Sequence, residues 1–258
     1  MKKCQLNLVV KSNISVSDSV FMLELTSDTA LPYAAPGQFA ELYVDDSRET
    51  FLRRPVSIHD FDSSSNTVTL LIKKVGAGTR KLSELRQHDV VNTLLPLGRG
   101  FGFDRIGMHR PLLVGGGVGI APLYYLGKEI SKRGIAPTFL FGGKTKADLL
   151  RMDEFSRHGE VFATTEDGSF GQNGFVTNHS ILHSEQFDMI FSCGPTPMMK
   201  SVGAYAKQNR IPCEVSLEHK MACGIGACLC CVEKTAEGNV CVCKDGPVFN
   251  IDELLWWN

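Results

Sequence analysis

Residues 111–134, PLLVGGGVGIAPLYYLGKEISKRG, decide the fold. A short apolar run is followed by three consecutive glycines and then by an amphipathic stretch ending in Gly134. That order reads as a buried strand, a close-approach turn and a helix, the opening unit of a parallel sheet. Pro111 to Gly127 is the longest charge-free run of the chain, and its glycines suit strand, turn and helix better than a membrane span. The turn GGGVGIAP departs from the dinucleotide fingerprint G-x-G-x-x-G, because Ile120 stands where the last glycine belongs. It can still direct backbone N–H groups and a helix N-terminus at a phosphate. A glycine turn with no ligand is the alternative reading.

The same rhythm continues downstream. PTFLFGG (137–143), EVFATTE (160–166), FDMIFSCG (187–194) and IPCEVSLE (211–218) read as strands, with helices over 146–159, 174–184 and 196–209. Strands alternating with helices of this length predict a parallel sheet covered on both faces, an α/β nucleotide domain over 101–217. Gly98, Gly100, Gly102 and Gly107 mark its start. No acid directly follows FLFGGKTK to hold a ribose hydroxyl. Asp148 and Glu154 come later, and Lys144 and Lys146 suit a 2′-phosphate, so the residues leave NAD against NADP open. SCGPTPMM places Cys193 and Gly194 at the carboxyl end of a strand, where open α/β sheets bind ligands. A buried, inert cysteine is the alternative for Cys193.

The first hundred residues are different. CQLNLVVKS (4–12), VFMLELTS (20–27), QFAELYVD (38–45), VTLLIKK (68–74) and VVNTLLP (90–96) are short and β-branched or apolar, with one short helix expected over 81–87. They predict a small barrel, with a sandwich as the alternative. FLRRPVSI (51–58) sets two arginines before Pro55 and Ser57. A guanidinium fork and a hydroxyl suit a pyrophosphate, and the proline restricts the backbone around them. LIKKVGAGT (71–79) ends a strand in a glycine turn that adds N–H donors and the Thr79 hydroxyl. The two segments together point to a dinucleotide cofactor.

At 258 residues the chain suits two domains and a small third module. Lys plus Arg is 27 and Asp plus Glu is 28, a net charge of -1, which excludes a general nucleic-acid binder and an acidic disordered chain. The nine cysteines are the anomaly, because six of them lie between Cys223 and Cys243. A disulfide scaffold would spread them through a small secreted chain. There is no convincing signal peptide, so the protein is expected in the cytoplasm, off the membrane, with thiols reduced or metal-bound. Cys223, Cys228 and Cys231 have the spacing C-x4-C-x2-C, the opening of a plant-type 2Fe–2S ligand set. On spacing alone the fourth ligand is Cys243 or Cys241, and zinc is the alternative metal. The segment from Glu218 has few apolar residues before VFNIDELLWW and is expected to fold around its metal centre.

In this order the motifs resemble the ferredoxin–NADP reductase superfamily and, within it, the electron transfer subunits of NAD-dependent (class 1B) dihydroorotate dehydrogenase. Arg54, Pro55, Val56 and Ser57 resemble the family's FAD motif. Leu71, Ile72 and Lys73 match its second flavin-contacting strand, and Gly78 and Thr79 its phosphate turn. Gly115, Gly116, Gly117 and Gly119, with Cys193 and Gly194, resemble its nicotinamide-side motifs. MACGIGACLCCV followed by CKDGPVF resembles its cluster segment, which implies Cys223, Cys228, Cys231 and Cys243 as ligands. The resemblance implies a Greek-key FAD barrel over 1–100, a Rossmann-like NAD domain over 101–217 and a 2Fe-2S module over 218–258. It also implies a relay. An FMN-containing catalytic subunit oxidises dihydroorotate, and electrons pass through the cluster and FAD to NAD+, a diffusible co-substrate, in de novo pyrimidine (UMP) biosynthesis. The implied assembly is a heterotetramer of two relay and two catalytic subunits, and no acid–base residue of this chain is implied in catalysis. The alternative is a relay subunit of another FAD/2Fe-2S NAD(P)H oxidoreductase, such as a sulfide- or ferredoxin-linked enzyme.

Overall fold

Period-two alternation closes the N-terminal strands on themselves. A computed structural model describes residues 3–44, 50–104 and 107–257. Asp45 at the end of the predicted third strand, and residues 105 and 106 in the predicted boundary, lie outside the described residues. Strands β1 (Cys4–Ser17), β2 (Val20–Thr26), β3 (Phe39–Leu42), β4 (Arg54–Asp62), β5 (Thr67–Lys73) and β6 (Val90–Leu97) form a closed barrel in the order β1-β2-β5-β4-β3-β6. Every neighbouring pair is antiparallel. Leu8, Val10, Leu23, Leu25, Leu42, Ile58, Leu70 and Leu95 are fully buried, so closure both fills the core and leaves no edge to protect. β4 was not among the expected strands, because its arginines and proline mask the apolar positions Ile58 and Phe61. Helix α1 (Ala77–Leu82) starts earlier than expected. The reason is local: the Thr79 hydroxyl accepts from Val75 N (2.9 Å) and Gly76 N (3.1 Å) and opens the helix at once.

The second sheet follows the 111–134 reading. It comprises β7 (Pro111–Gly116), α2 (Ala121–Ser131), β8 (Thr138–Gly143), α3 (Met152–Phe155), β9 (Glu160–Thr165), β10 (Gln172–Asn173), α4 (Ile181–Ser184), β11 (Met189–Cys193), α5 (Thr196–Asn209) and β12 (Cys213–Ser216). β10-β9-β8-β7-β11-β12 are parallel. Every residue of β7, β11 and β12 is buried, as a central parallel strand covered on both faces requires. The single helix expected over 146–159 is a correction. A 3-10 turn at Lys146–Asp148 and the one-turn α3 stand in its place. Thr145 and Asp148 cap the first turn, and Arg151 turns left-handed (φ 55°) with its guanidinium on Glu154. Phe155 is thereby delivered into an aromatic cluster with Phe141, Phe139 and Tyr124, at centroid distances of 4.7, 5.2 and 5.4 Å.

The C-terminal segment supplies the hairpin strands β13 (Val232–Thr235) and β14 (Gly238–Cys241), the one-turn α6 (Val242–Asp245) and β15 (Val248–Asn250), which pairs antiparallel with β12. The C-terminal module contributes to both of the compact units into which the chain groups. One comprises residues 1–100, 218–233 and 239–247, and the other residues 101–217, 234–238 and 248–258. Among the described residues no helix is long and apolar enough to cross a membrane.

Phe155→Ala empties the centre of the aromatic cluster. It is expected to cost about 3–5 kcal/mol of stability, read as a lower denaturant midpoint. A loss below about 1 kcal/mol would show that the ring is not packed as described.

Candidate functional site

The residues singled out from the sequence gather into three places. In the barrel unit, the start of β4 meets the glycine turn before α1. A Cβ on Gly78 would lie 3.0 Å from Arg54 Cδ, 3.2 Å from Arg54 Nε and 3.2 Å from the Thr50 methyl, so a side chain there would press on the arginine. Arg54 holds Leu52 O through Nη2 at 2.7 Å. Arg53 is differently employed, because its guanidinium donates to Asn92 O (2.8 Å) and Oδ1 and lies 5.4 Å over the Tyr43 ring. The two neighbouring arginines thus have different partners. Val56 and Ser57 are half-buried beside Arg54, Pro55 and Lys73 are exposed, and Leu71 and Ile72 are buried. The Thr79 hydroxyl is spent on its own turn. Thr50, which no sequence signal marked, is buried beside Arg54 and Gly78 with its Oγ1 lacking any protein partner. An orphaned hydroxyl, a guanidinium and a Cβ-free cradle fit a phosphate-bearing cofactor.

In the sheet unit, Gly115, Gly116, Gly117 and Gly119 lie against Cys193 and Gly194. Register pairs Cys193 with Gly115 across the neighbouring strands β11 and β7. The chain passes from β7 to β8 on one side and later returns to β11 on the other, which makes this the switch point of an open α/β sheet. A Cβ on Gly119 would lie 2.5 Å from Cys193 O and 2.6 Å from Gly194 Cα, and one on Gly116 2.7 Å from Met198 Sδ. Gly117 is left-handed (φ 55°). At the end of β8, the Asp148 carboxylate accepts from Lys144 N (3.0 Å) and Thr145 N (3.1 Å). That acid holds its own turn.

The third place is the thiol segment of the barrel unit. Backbone N–H groups converge on three sulfurs: Gly226 N on Cys243 Sγ at 3.2 Å, Ala227 N on Cys223 Sγ at 3.3 Å, and Cys243 N on Cys231 Sγ at 3.3 Å. Cys231 and Cys243 are buried, Cys223 is half-buried and Cys228 is exposed. His219 and Glu233 close the neck of the loop with an Nε2···Oε2 contact of 2.8 Å. Burial pushes the Cys223 thiol up, but N–H groups of Ile225, Cys228 and Ala227 and the Cys228 thiol outweigh it and bring it down to about 6. Burial, then the bond to Cys231 and its charge, push Cys243 up to about 12. Crowded thiols resist joint ionisation, and a bound cation reverses that. Donor N–H groups aimed at sulfur are what an iron–sulfur centre needs. Of the spare thiols, exposed Cys230 lies 3.6 Å from Lys220 O, and buried Cys241 lies 4.0 Å from Gly226 O. Among the described residues no three metal-binding side chains converge on one ion position, and two irons with two thiolates each do not ask for it.

Beneath this loop lies Glu41 of β3, fully buried, with neither carboxylate oxygen bonded. Burial and then Cys223 raise its carboxyl to about 7, against the opposing pull of Arg53 and Arg54. A lone acid in the apolar stretch QFAELYV was the only sequence signal for it.

Comparison with known proteins adds to this geometry. Residues 218–255 match the family described as the iron-sulfur cluster binding domain of dihydroorotate dehydrogenase B, and residues 113–203 match the oxidoreductase NAD-binding domain. The electron transfer subunit of dihydroorotate dehydrogenase B (NAD+) from Shouchella clausii is 38% identical over 260 residues, covering 99% of this chain and 100% of the relative. That of Listeria monocytogenes serotype 4a is 39% identical, covering 97% and 98%. A solved NADH-dependent reduced ferredoxin-NADP oxidoreductase superposes with a TM-score of 0.85 at 31% identity, over 97% of this chain and 90% of that one.

Gly119→Ala would drive β11 and the β7 turn apart. It is expected to lower the melting temperature and to weaken nicotinamide nucleotide binding about tenfold or more in an equilibrium titration. Wild-type affinity in that variant would remove the turn from the binding site.

Proposed function

This chain belongs to the family of the electron transfer subunits of dihydroorotate dehydrogenase B (NAD+), and from that premise we propose which residues carry each part of the work. It is an oxidoreductase subunit of that enzyme, linking an FMN-containing catalytic partner to NAD+ in pyrimidine biosynthesis through a 2Fe-2S cluster and FAD. Cys223, Cys228, Cys231 and Cys243 hold the cluster. Three backbone N–H groups aimed at three of these four sulfurs are the observation that carries the assignment. Arg54, Val56, Ser57 and the Gly78–Thr79 turn hold FAD, with the backbone of Pro55, Leu71, Ile72 and Lys73 alongside and the Thr50 hydroxyl added. Gly115, Gly116, Gly117 and Gly119, with Cys193 and Gly194, receive NAD+.

When bound, the cluster supplies one-electron transfer and the flavin supplies hydride to the nicotinamide. The protein's own residues do the rest. Arg54 neutralises the charge of the cofactor's phosphates without giving up a proton. The cluster loop's N–H groups stabilise negative sulfur. The glycine turn exposes backbone donors where side chains would block approach. The division into residues 1–100, 101–217 and 218–258 stands as a functional division by cofactor. In this reading two such subunits join two catalytic subunits in a heterotetramer, and free thiols in this number support a reducing, cytoplasmic setting. A second reading, a relay for a ferredoxin-linked nicotinamide enzyme, is favoured by the 31% identity to the solved oxidoreductase. Affinity purification of the chain from its native cell decides between them: the first reading expects a dihydroorotate-oxidising partner, the second does not.

Cys223→Ser is expected to lose most of its iron and the visible absorbance of the cluster, whereas Cys230→Ser keeps both. Full iron in the first variant, or bleaching in the second, would mean that the wrong thiols were chosen. Arg54→Ala is expected to weaken FAD retention by about 1.5–3 kcal/mol, measured by fluorescence of released flavin. Unaltered retention would reject its contact with the phosphates.

A further inference from the structure

The position beneath the cluster loop calls for an apolar side chain. β3 alternates, so Ala40 and Leu42 point one way while Phe39 and Glu41 point to the other, beneath the 218–247 segment. All four are buried, and Glu41 is completely so. A carboxyl at such a position costs stability unless it is bonded, and here neither oxygen has a protein partner. Both oxygens face the loop. A Cβ on Gly224 would lie 2.7 Å from Oε2 and 2.9 Å from Oε1, so the loop rests on the carboxyl only because residue 224 is glycine. Gly224 also has φ 64°, and its neighbour in the chain is Cys223. The register pairs Glu41 with Pro55, within the strand assigned to FAD. Its charged neighbours are Cys223, Arg53 and Arg54. Arg53 is hydrogen-bonded to Asn92 and keeps its charge, as does Arg54, so both partly offset a charge on Glu41 without bonding its oxygens.

We propose that Glu41 is a charge-setting residue for the 2Fe-2S centre, placed under the Cys223 loop to make the addition of an electron to that centre harder. This rests on the ligand assignment above. The exchange itself is one electron entering the iron pair and one leaving it for the flavin. Glu41 forms and breaks no bond and gives up no electron. It changes the energy of the electron by its negative charge in surroundings that screen it weakly. It is a positioning residue in this sense and touches no substrate.

The test uses the complete chain, loaded with cluster and FAD, in a redox titration followed by electron paramagnetic resonance at alkaline pH, which favours the carboxylate. Glu41→Gln and Glu41→Met should each raise the midpoint potential of the cluster by at least a tenfold change in the one-electron equilibrium, about 59 mV, with iron and flavin contents unchanged. Glu41→Asp, which keeps the charge, should stay near wild type. In the metal-free chain Glu41→Met should melt at a higher temperature, because the orphaned carboxyl is gone. Wild-type potentials in both neutral variants overturn the proposal. So does an Asp variant that shifts as far as Gln, a Met variant that melts lower, or loss of iron confined to the neutral variants, each of which would make Glu41 a packing or assembly residue. An iron-free wild-type chain under iron-replete conditions would instead defeat the ligand assignment.

Discussion

Negative charge brought together by force is the constraint on which this protein is built. The thiol segment holds six of the nine cysteines, and at least four must approach one another closely enough to share a centre. Thiolates so close repel: burial first, then Cys231, push Cys243 up, while N–H groups bring Cys223 down. The segment meets that repulsion with backbone N–H groups aimed at sulfur and with the His219–Glu233 contact at its neck. Having little apolar surface, it borrows the outer face of β3 as its floor. Glu41 in that floor adds a further negative charge where an apolar residue would have been cheaper, which is why it reads as a functional residue.

One steric device recurs at all three sites. Gly78 lets Arg54 lie across its turn, Gly119 lets β7 close on Cys193 and Gly194, and Gly224 lets the cluster loop rest on Glu41. In each place a single Cβ would meet another group at 3.0 Å or less. Cofactor sites of this kind need backbone close to backbone, so that N–H groups rather than side chains meet phosphate or sulfur. The residues proposed for flavin and cluster share one compact unit, and those proposed for the nicotinamide belong to the other.

Local order made much of this legible. The strand, glycine turn and helix at 111–134 carry their own periodicity, and the barrel strands alternate within a few residues. The C-x4-C-x2-C spacing needs no tertiary information, because the three proposed ligands lie on one short segment. The misreadings share a cause. β4 was hidden because Arg54 and Pro55 open it with a charge and a ring in place of apolar alternation. The helix over 146–159 broke at Arg151 because the caps at Thr145 and Asp148, and the burial of Phe155, outweighed helical periodicity.

By itself, then, the amino-acid order determined the architecture of each half, the glycine turns and a short set of candidate thiols, since these depend on neighbours within a few residues. Only the tertiary structure gave Arg53 its partner Asn92, found Thr50 beside Gly78, divided residues 218–258 between two units and put Glu41 under Gly224. Each of those depends on a contact between residues far apart in the chain, and no periodicity encodes which distant backbone will leave room for a side chain.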